Sequence, residues 1–540
     1  MRGKCEEFLE QTLDYLCKVY IIIMAFVFAA FLSEGYIKGG TDKGMLYIYI
    51  SVAFCGMGLL LFIPWFILQI TGNRAKLHFS LSPIGDRLLL LYLILQPISY
   101  LLSNNKEEAL LGVHGWYQGL LPMICVLLSY FFISRFLTNT TYGLGVLSIG
   151  SVFIFLLAIL NRFDIDPLGY NEAGAGFIST MGNINWFCGY WSVFFGVSLG
   201  LFFCKRNSKF ILQVLYAVYF ALSVFVGAIQ GSDVALLVFA VSFLALLFYA
   251  GFHTKEDLIR VFDMCILAFG TLCVCGAIMR ITDTNVNYQA FSSTFLTNPF
   301  TMAGFVILFL VLRDIFVRES GLMAAKKKAS LMMGIVCILV LLMMGLYVIV
   351  LIINTKHPGV LPFIQSDTEL SLFTADFHWG SSRGITWYAG ICTFLDADLI
   401  HKIFGWGPES FAYGLYQSTS RAGDACNAFF EGARLTNAHN ELITVLVNAG
   451  IVGALTYALS LFNTGRRFIK SRRGIAFAAG FAILSYSANN LFSFAQPVNI
   501  TYLFLVMGIG EAYLRRGKEE KKEIETEERE EKIENEVSME

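Results

Sequence analysis

Along most of this chain the apolar residues run in unbroken blocks, and charged residues gather in short connections between them. Blocks such as "LMMGIVCILVLLMMGLYVIVLIIN" are long enough for a helix that crosses the ~30 Å hydrocarbon core of a bilayer, while "DRLLLLYLILQPISYLLS" is short and carries Pro97. The pattern predicts spans near 19–36, 45–70, 87–103, 117–135, 142–160, 186–204, 210–229, 233–251, 261–279, 298–317, 331–354, 438–463, 474–492 and 496–513. It therefore predicts an all-α polytopic membrane protein of about fourteen transmembrane helices. The chain divides into an N-terminal bundle of about eleven helices (1–354), a large non-membrane loop (355–437), three last spans (438–513) and a charged tail (514–540).

The loop departs from the rhythm of short connections, and long connections of this kind are usually functional or disordered. Its tryptophans Trp379, Trp387 and Trp406 and its many other aromatic residues favour a folded segment. Trp387, Ile391, Phe394, Leu395 and Leu399 fall at helical spacing, which predicts an amphipathic helix lying on the membrane or on the bundle. "GWGPESF" then supplies a Gly/Pro turn. The tail mixes acidic and basic residues without an apolar face and carries no expected chemistry.

Composition agrees with the pattern: 56% of residues are hydrophobic and 15% charged, which excludes an ordinary soluble domain. The formal charge of −1 is uninformative, but the placement of Lys and Arg is not. Clusters such as "CKRNSK", "GRRFIKSRR" and "LRRGKEEKK" all fall on one side if the N-terminus is cytoplasmic, so both ends face the cytoplasm and the loop faces outward. The twelve cysteines include no CxxC pair and no zinc spacing. The implied partner is the lipid bilayer; nucleic acid, metal and cofactor are not expected.

Titratable residues at the outer ends of spans are costly unless they pair or face a cavity, so they are the candidates for chemistry. Histidines and arginines concentrate in and just after the loop. His439, in "LTNAHNELITVLVNAG", follows the capping residue types Thr436 and Asn437 and is expected in the first helical turn. There the positive helix end would keep the imidazole neutral and favour a nearby anion. A purely interfacial histidine bonded to a loop carbonyl has the same signature. Gly450, eleven residues on, is expected on the same helix face, where it lets another helix approach. Arg383 precedes the amphipathic helix, where its fork of donors suits a phosphate, as it would also suit a lipid headgroup. Arg421 and Arg434 are further candidates for the same work. The pairs Asp164/Asp166 and Asp396/Asp398 have a spacing that can hold a divalent cation, or that simply marks a solvated face. Asn183 and Asn185 either line a polar cavity or cap a helix.

The order "GNINWFCGYW", "SSRGITW", "GWGPESF" and "AHNELITVLVNAGIVGAL" over residues 170–465 resembles the O-antigen ligase and polymerase superfamily, with the His-Asn pair and its later glycine the most specific match. The resemblance implies a GT-C-type fold and a glycosyltransferase. It would move a glycan from a polyprenyl-diphosphate carrier to a hydroxyl of a saccharide, lipid or protein acceptor on the outer face of a bacterial cell membrane, with inversion and without metal. By position, His439 would assist the acceptor and Arg383 would bind the diphosphate, with Asn185, Asp233, Asn440 and Glu441 lining the cavity.

One departure stands out. Members of this superfamily often carry Ser-Arg at an outer helix end, whereas this chain has Ser232 followed by Asp233. Arg280, Arg421 or Arg434 would then replace the second phosphate-binding arginine, or Asp233 would bind a sugar hydroxyl or a cation. A transporter or flippase of lipid-linked saccharides is the alternative, since about fourteen helices also suit that class. It would show broken helices with ionisable residues near mid-membrane.

Overall fold

The structure, a computed structural model, describes residues 2–33, 35–71, 81, 83–169, 176–206, 208–282, 291–361, 372–417 and 421–537. It is 81% helical, and the only strands among the described residues are the antiparallel pair Phe177–Ile178 and Gly182–Asn183. The chain is thus an all-α polytopic membrane protein.

Twelve helices among the described residues are long and apolar enough to cross a membrane. The two remaining expected spans coincide with the shorter apolar helices Leu120–Phe136 and Gly474–Asn489, of 17 and 16 residues. At ~1.5 Å per residue these fall short of a ~30 Å core. The reason lies in their place. Gly474–Asn489 runs through the middle of the bundle beside Ile184–Cys204, where Gly196 meets the Phe481 carbonyl and Gly200 meets Ala478. Small residues here let backbones approach where lipid provides no hydrophobic drive between helices. Met323–Lys356, by contrast, has no buried residue in its most apolar window and lies at the rim.

The two ends of the bundle differ in chemistry. One gathers the segments nearest the chain ends: Asp14 accepts from the Thr138 amide at 2.8 Å, and Arg516 donates to the Leu137 carbonyl at 2.9 Å. Asp86 lies there too, wholly buried between Arg135 and Arg515 at 2.5 and 2.6 Å. The opposite end carries the loop.

Within the loop, helices Trp379–Asp396, Phe411–Gln417 and Arg421–Phe429 pack around a small second core built from Ile385, Ala389, Phe411, Leu415, Ala422 and Cys426, completed by Leu435, Ala438 and Val447. The helix expected from the apolar spacing runs over Trp379–Asp396, with Trp387 and Phe394 half-buried and Leu399 in the next short helix. Its small face (Ala389, Gly390, Thr393) is buried against the protein, while Ile391 and Leu395 are left exposed by it, as a face turned to lipid would be.

Helix Glu441–Ser471 is broken at Gly450, whose φ of 68° and ψ of −176° leave the helical region. The break frees carbonyls, and the loop takes them: the Trp406 amide donates to Val447 O and the Gly407 amide to Asn448 O, each at 3.0 Å. Ser99 adds a third bond, to Asn448 O at 2.8 Å. The backbones come so close that a Cβ on Gly450 would stand 2.3 Å from the Ile403 carbonyl, and one on Gly405 would stand 2.2 Å from that of Asn448. Gly450 therefore does admit a neighbour, but by ending the helix rather than by sharing a helical face with His439.

Candidate functional site

At the loop end, His439 lies before the helix and not in its first turn. The N-cap is Asn440, whose side chain accepts from the Ile443 amide at 3.1 Å and donates to the Leu491 carbonyl at 3.0 Å. The Asn437 side chain instead accepts from the His439 amide and holds that residue at a φ of 50°. A left-handed non-glycine residue is costly and persists only where its surroundings impose it. The imidazole packs edge-on against Phe494 with ring centres 5.3 Å apart, and its enclosed Nδ1 has no hydrogen-bond partner. Burial first, and then the Arg383 charge, push its pKa down to about 4. It is a neutral imidazole at physiological pH.

Arg383 follows a left-handed turn of three residues, Gly380, Ser381 and Ser382, with φ of 62°, 58° and 66°. This turn aims its half-buried guanidinium at the connection after helix Gly474–Asn489. Nε and Nη2 both donate to the Phe492 carbonyl, at 2.9 and 2.7 Å, and Nη1 donates to Gly380 O at 2.6 Å. Phe492 is in turn packed by Trp379 and Trp387. These carbonyls orient the cation without neutralising it, and among the described residues no carboxylate forms an ion pair with it. Burial lowers its pKa to about 10 while Asp233 pulls the other way, so it stays charged.

Glu441 sits on the inner side of His439, wholly enclosed. Its carboxylate accepts from Tyr457 at 2.7 Å, Tyr486 at 3.3 Å and Asn490 at 2.6 Å. Asn185 accepts from Ser232 at 3.0 Å, and Asp233 accepts from the Ser292 amide at 2.8 Å, which ties the short helix Phe291–Leu296 to the start of the span Val234–Gly251. Asp233 is within electrostatic range of Arg383 without touching it.

The other expected arginines do not join this cluster. Arg434 is spent on Glu108, with bonds of 2.5 and 2.8 Å that hold the Glu108 pKa below the usual carboxylate value. Arg280 is exposed and lies over the Phe300 ring at 5.4 Å. Arg421 is exposed at the start of its helix. Of the two Asp-x-Asp pairs, Asp166 accepts from the Leu168 amide, and Asp398 caps a helix through the His401 amide and ring. Among the described residues no three His, Cys, Asp or Glu side chains gather as a metal site would require.

Three participants escape the sequence. Phe492 and Phe494 sit in "NNLFSFAQ", which reads as a plain span end. Glu409 sits in "GWGPESF", where the turn residues draw the eye. Glu409 is buried, has a φ of 50° and accepts from the Gln118 amide, and burial pushes its pKa up to about 8. Of nine left-handed non-glycine residues described, Tyr117, Ser381, Ser382, Glu409 and His439 lie in this region. Such strain clusters at functional sites. No protein-family model matches the chain, and no curated protein matches it either.

Proposed function

We propose that the chain is a membrane glycosyltransferase of GT-C type that transfers a glycan from a polyprenyl-diphosphate carrier to an acceptor hydroxyl on the outer face of a bacterial cell membrane. The observation that carries this reading is the pairing of Arg383 with His439. A cation held by neutral backbone carbonyls stands within electrostatic reach of a neutral imidazole, at one end of a membrane bundle. That arrangement suits an anionic leaving group and a proton to be removed. The acceptor oxygen attacks the anomeric carbon as its proton passes to the imidazole. The bond from that carbon to the diphosphate oxygen breaks, and the electron pair leaves with the diphosphate, where Arg383 offsets the charge. The ordered likeness of four segments to the O-antigen ligase and polymerase superfamily supports the same roles.

A bound diphosphate would also tune the base. It compensates Arg383, removes that charge's depression of His439, and so makes the imidazole more basic only when donor is present. Membranes supplied with a defined polyprenyl-diphosphate glycan should form a new glycosidic bond, and Arg383→Gln and His439→Ala should each lose it with insertion intact. Normal turnover in both variants would overturn the reading.

The break at Gly450 favours a second reading, a translocator of lipid-linked saccharides, because discontinuous helices line transport sites. It ranks second because the loop already occupies the carbonyls that the break frees. Sealed vesicles decide: substrate crossing the bilayer with no new bond formed would favour translocation.

A further inference from the structure

At the end of the bundle opposite the loop, a cavity of about 300 Å³ lies where helix Arg2–Ile22 meets the ends of helices Tyr36–Thr71 and Leu120–Phe136 and the last span. Its lining carries charge of both signs. Arg516 is half-buried there and donates to the Leu137 and Phe136 carbonyls at 2.9 and 3.4 Å, and it forms no ion pair among the described residues. Arg135 and Arg515 line the cavity as well, bound to the buried Asp86. Facing them, Glu7, Glu10 and Asp14 share one face of helix Arg2–Ile22, being three to four residues apart. Asp14 is satisfied by Lys18 and Thr138, but Glu7 accepts only from the Gln11 side chain at 3.2 Å, and Glu10 only from the Trp65 indole at 2.9 Å. The cavity thus presents a cation held by neutral carbonyls and two carboxylates held by neutral donors. Charges at the end of a membrane span are costly unless something in the cavity answers them. Apolar surface adjoins it: Phe8 and Tyr15, seven residues apart on the same helix, are exposed, as are Ile63, Ile67 and Ile70 around Trp65.

We propose that this cavity binds the phosphoethanolamine headgroup of a membrane phospholipid, with its phosphate on Arg516 and its ammonium on Glu7 and Glu10. A zwitterion answers both walls at once. A purely anionic headgroup would leave the two carboxylates facing negative charge, and a purely cationic ligand would leave Arg516 uncompensated. A choline group carries no N–H to give to a carboxylate, whereas a primary ammonium carries three. The exposed apolar residues beside the cavity take the acyl chains, which favours a lipid over a soluble ligand of the same charge. A headgroup so held touches both the first helix and the last span. The inference is independent of the transferase reading, since it concerns the opposite end of the bundle.

The test uses full-length protein exchanged into detergent with equal amounts of phosphatidylethanolamine, phosphatidylcholine and phosphatidylglycerol, and native mass spectrometry reads which lipid is retained. Phosphatidylethanolamine should be retained over each of the others by about tenfold, the scale of a lost hydrogen bond to a charged group. The double variant Glu7→Gln, Glu10→Gln should lose the preference over phosphatidylglycerol. Each new amide oxygen can still accept from Gln11 or Trp65, so its melting temperature without lipid should match the parent's, which separates lost binding from lost folding. Arg516→Gln should weaken phosphatidylethanolamine and phosphatidylglycerol alike, since both present a phosphate. Equal retention of the three lipids by the parent, an unchanged preference in the double variant, or full retention in Arg516→Gln would each overturn the site. Free phosphoethanolamine, read by calorimetry, separates the sources: if it binds while no lipid is preferred, the ligand is soluble and the lipid assignment falls.

Discussion

The guanidinium of Arg383 gives two hydrogen bonds to one backbone oxygen, that of Phe492, at 2.9 and 2.7 Å. The planar fork is therefore fixed from below by a group that carries no charge. A lysine keeps the charge but has neither the fork nor its fixed direction. Arg383→Lys should lower turnover on a polyprenyl-diphosphate donor by about 10²-fold or more, the scale on which oriented charge stabilisation acts. Single-turnover transfer in nanodiscs measures it, and a loss under threefold would remove Arg383 from the charge-stabilising role.

For His439 the pH dependence carries a sign. With its pKa near 4, the neutral form persists throughout the physiological range, and the rate should fall only as pH approaches 4. Arg383→Gln removes one of the two causes of the depression, so the acid limb of any residual activity should move upward, toward the ordinary value of 6.5. Burial remains, so it should stop short of it. A pH profile of kcat/KM for both proteins reads this directly, and an unmoved limb would show that the two residues are not coupled.

Much of the architecture is legible because it follows from hydropathy alone. The blocks that predicted the spans are helices, and the loop after Lys356 does fold around a second core. What escapes is local backbone geometry. "LTNAHNEL" offers two capping residues before the histidine, and the actual cap, Asn440, comes after it. This choice is settled by Asn490 and Leu491, fifty residues on, whose carbonyls bind the Glu441 amide and the Asn440 side chain. Arg434 looks like a phosphate ligand until Glu108, far away in sequence, occupies it. Glu409 was hidden for a related reason, since burial of a carboxylate is a tertiary fact with no local signature.

Glu409 gives a prediction of opposite sign. Its folded pKa of about 8 lies above its ordinary value of 4.5, so between these values the folded state holds more protons than the unfolded. Stability from this group is full below pH 4.5 and is lost as pH rises through 8. Glu409→Gln should flatten that decline in melting temperature, as measured by thermal unfolding in nanodiscs between pH 5 and 9. An unchanged slope would mean that Glu409 is ionised in the folded protein.

The two glycines at the broken helix should be nearly irreplaceable. Gly405→Ala and Gly450→Ala each add a methyl within 2.3 Å of a backbone carbonyl, and at positive φ. Overpacking and backbone strain together predict a loss of about 2–4 kcal/mol and release of the loop from the helix. Gly465→Ala is the control, since its added methyl meets Ile483 at ordinary contact distances of 3.4 to 3.8 Å. Limited proteolysis at residues 397–410 should find new cleavage in the first two variants and not in the third.

Asp233→Asn should cost less than tenfold in transfer, because an amide oxygen can still accept from the Ser292 amide. Chelation with EDTA should leave the rate unchanged. A rate that collapsed on chelation and was restored by a divalent ion would instead assign Asp233 to a cation.

Glu409 rests on the amide of Gln118, Arg434 on Glu108 and Ser410 on Ser103, each pair separated by about three hundred positions along the chain. Synthesis proceeds from the N-terminal end, so the early spans lack these partners until residues 409–434 emerge and dock. A ribosome that stalls anywhere before the broken helix leaves a membrane-inserted product with neither His439 nor the floor beneath Arg383. The layout is therefore an order-of-assembly check: the Arg383–His439 arrangement forms only once the segment through Phe492 has been made.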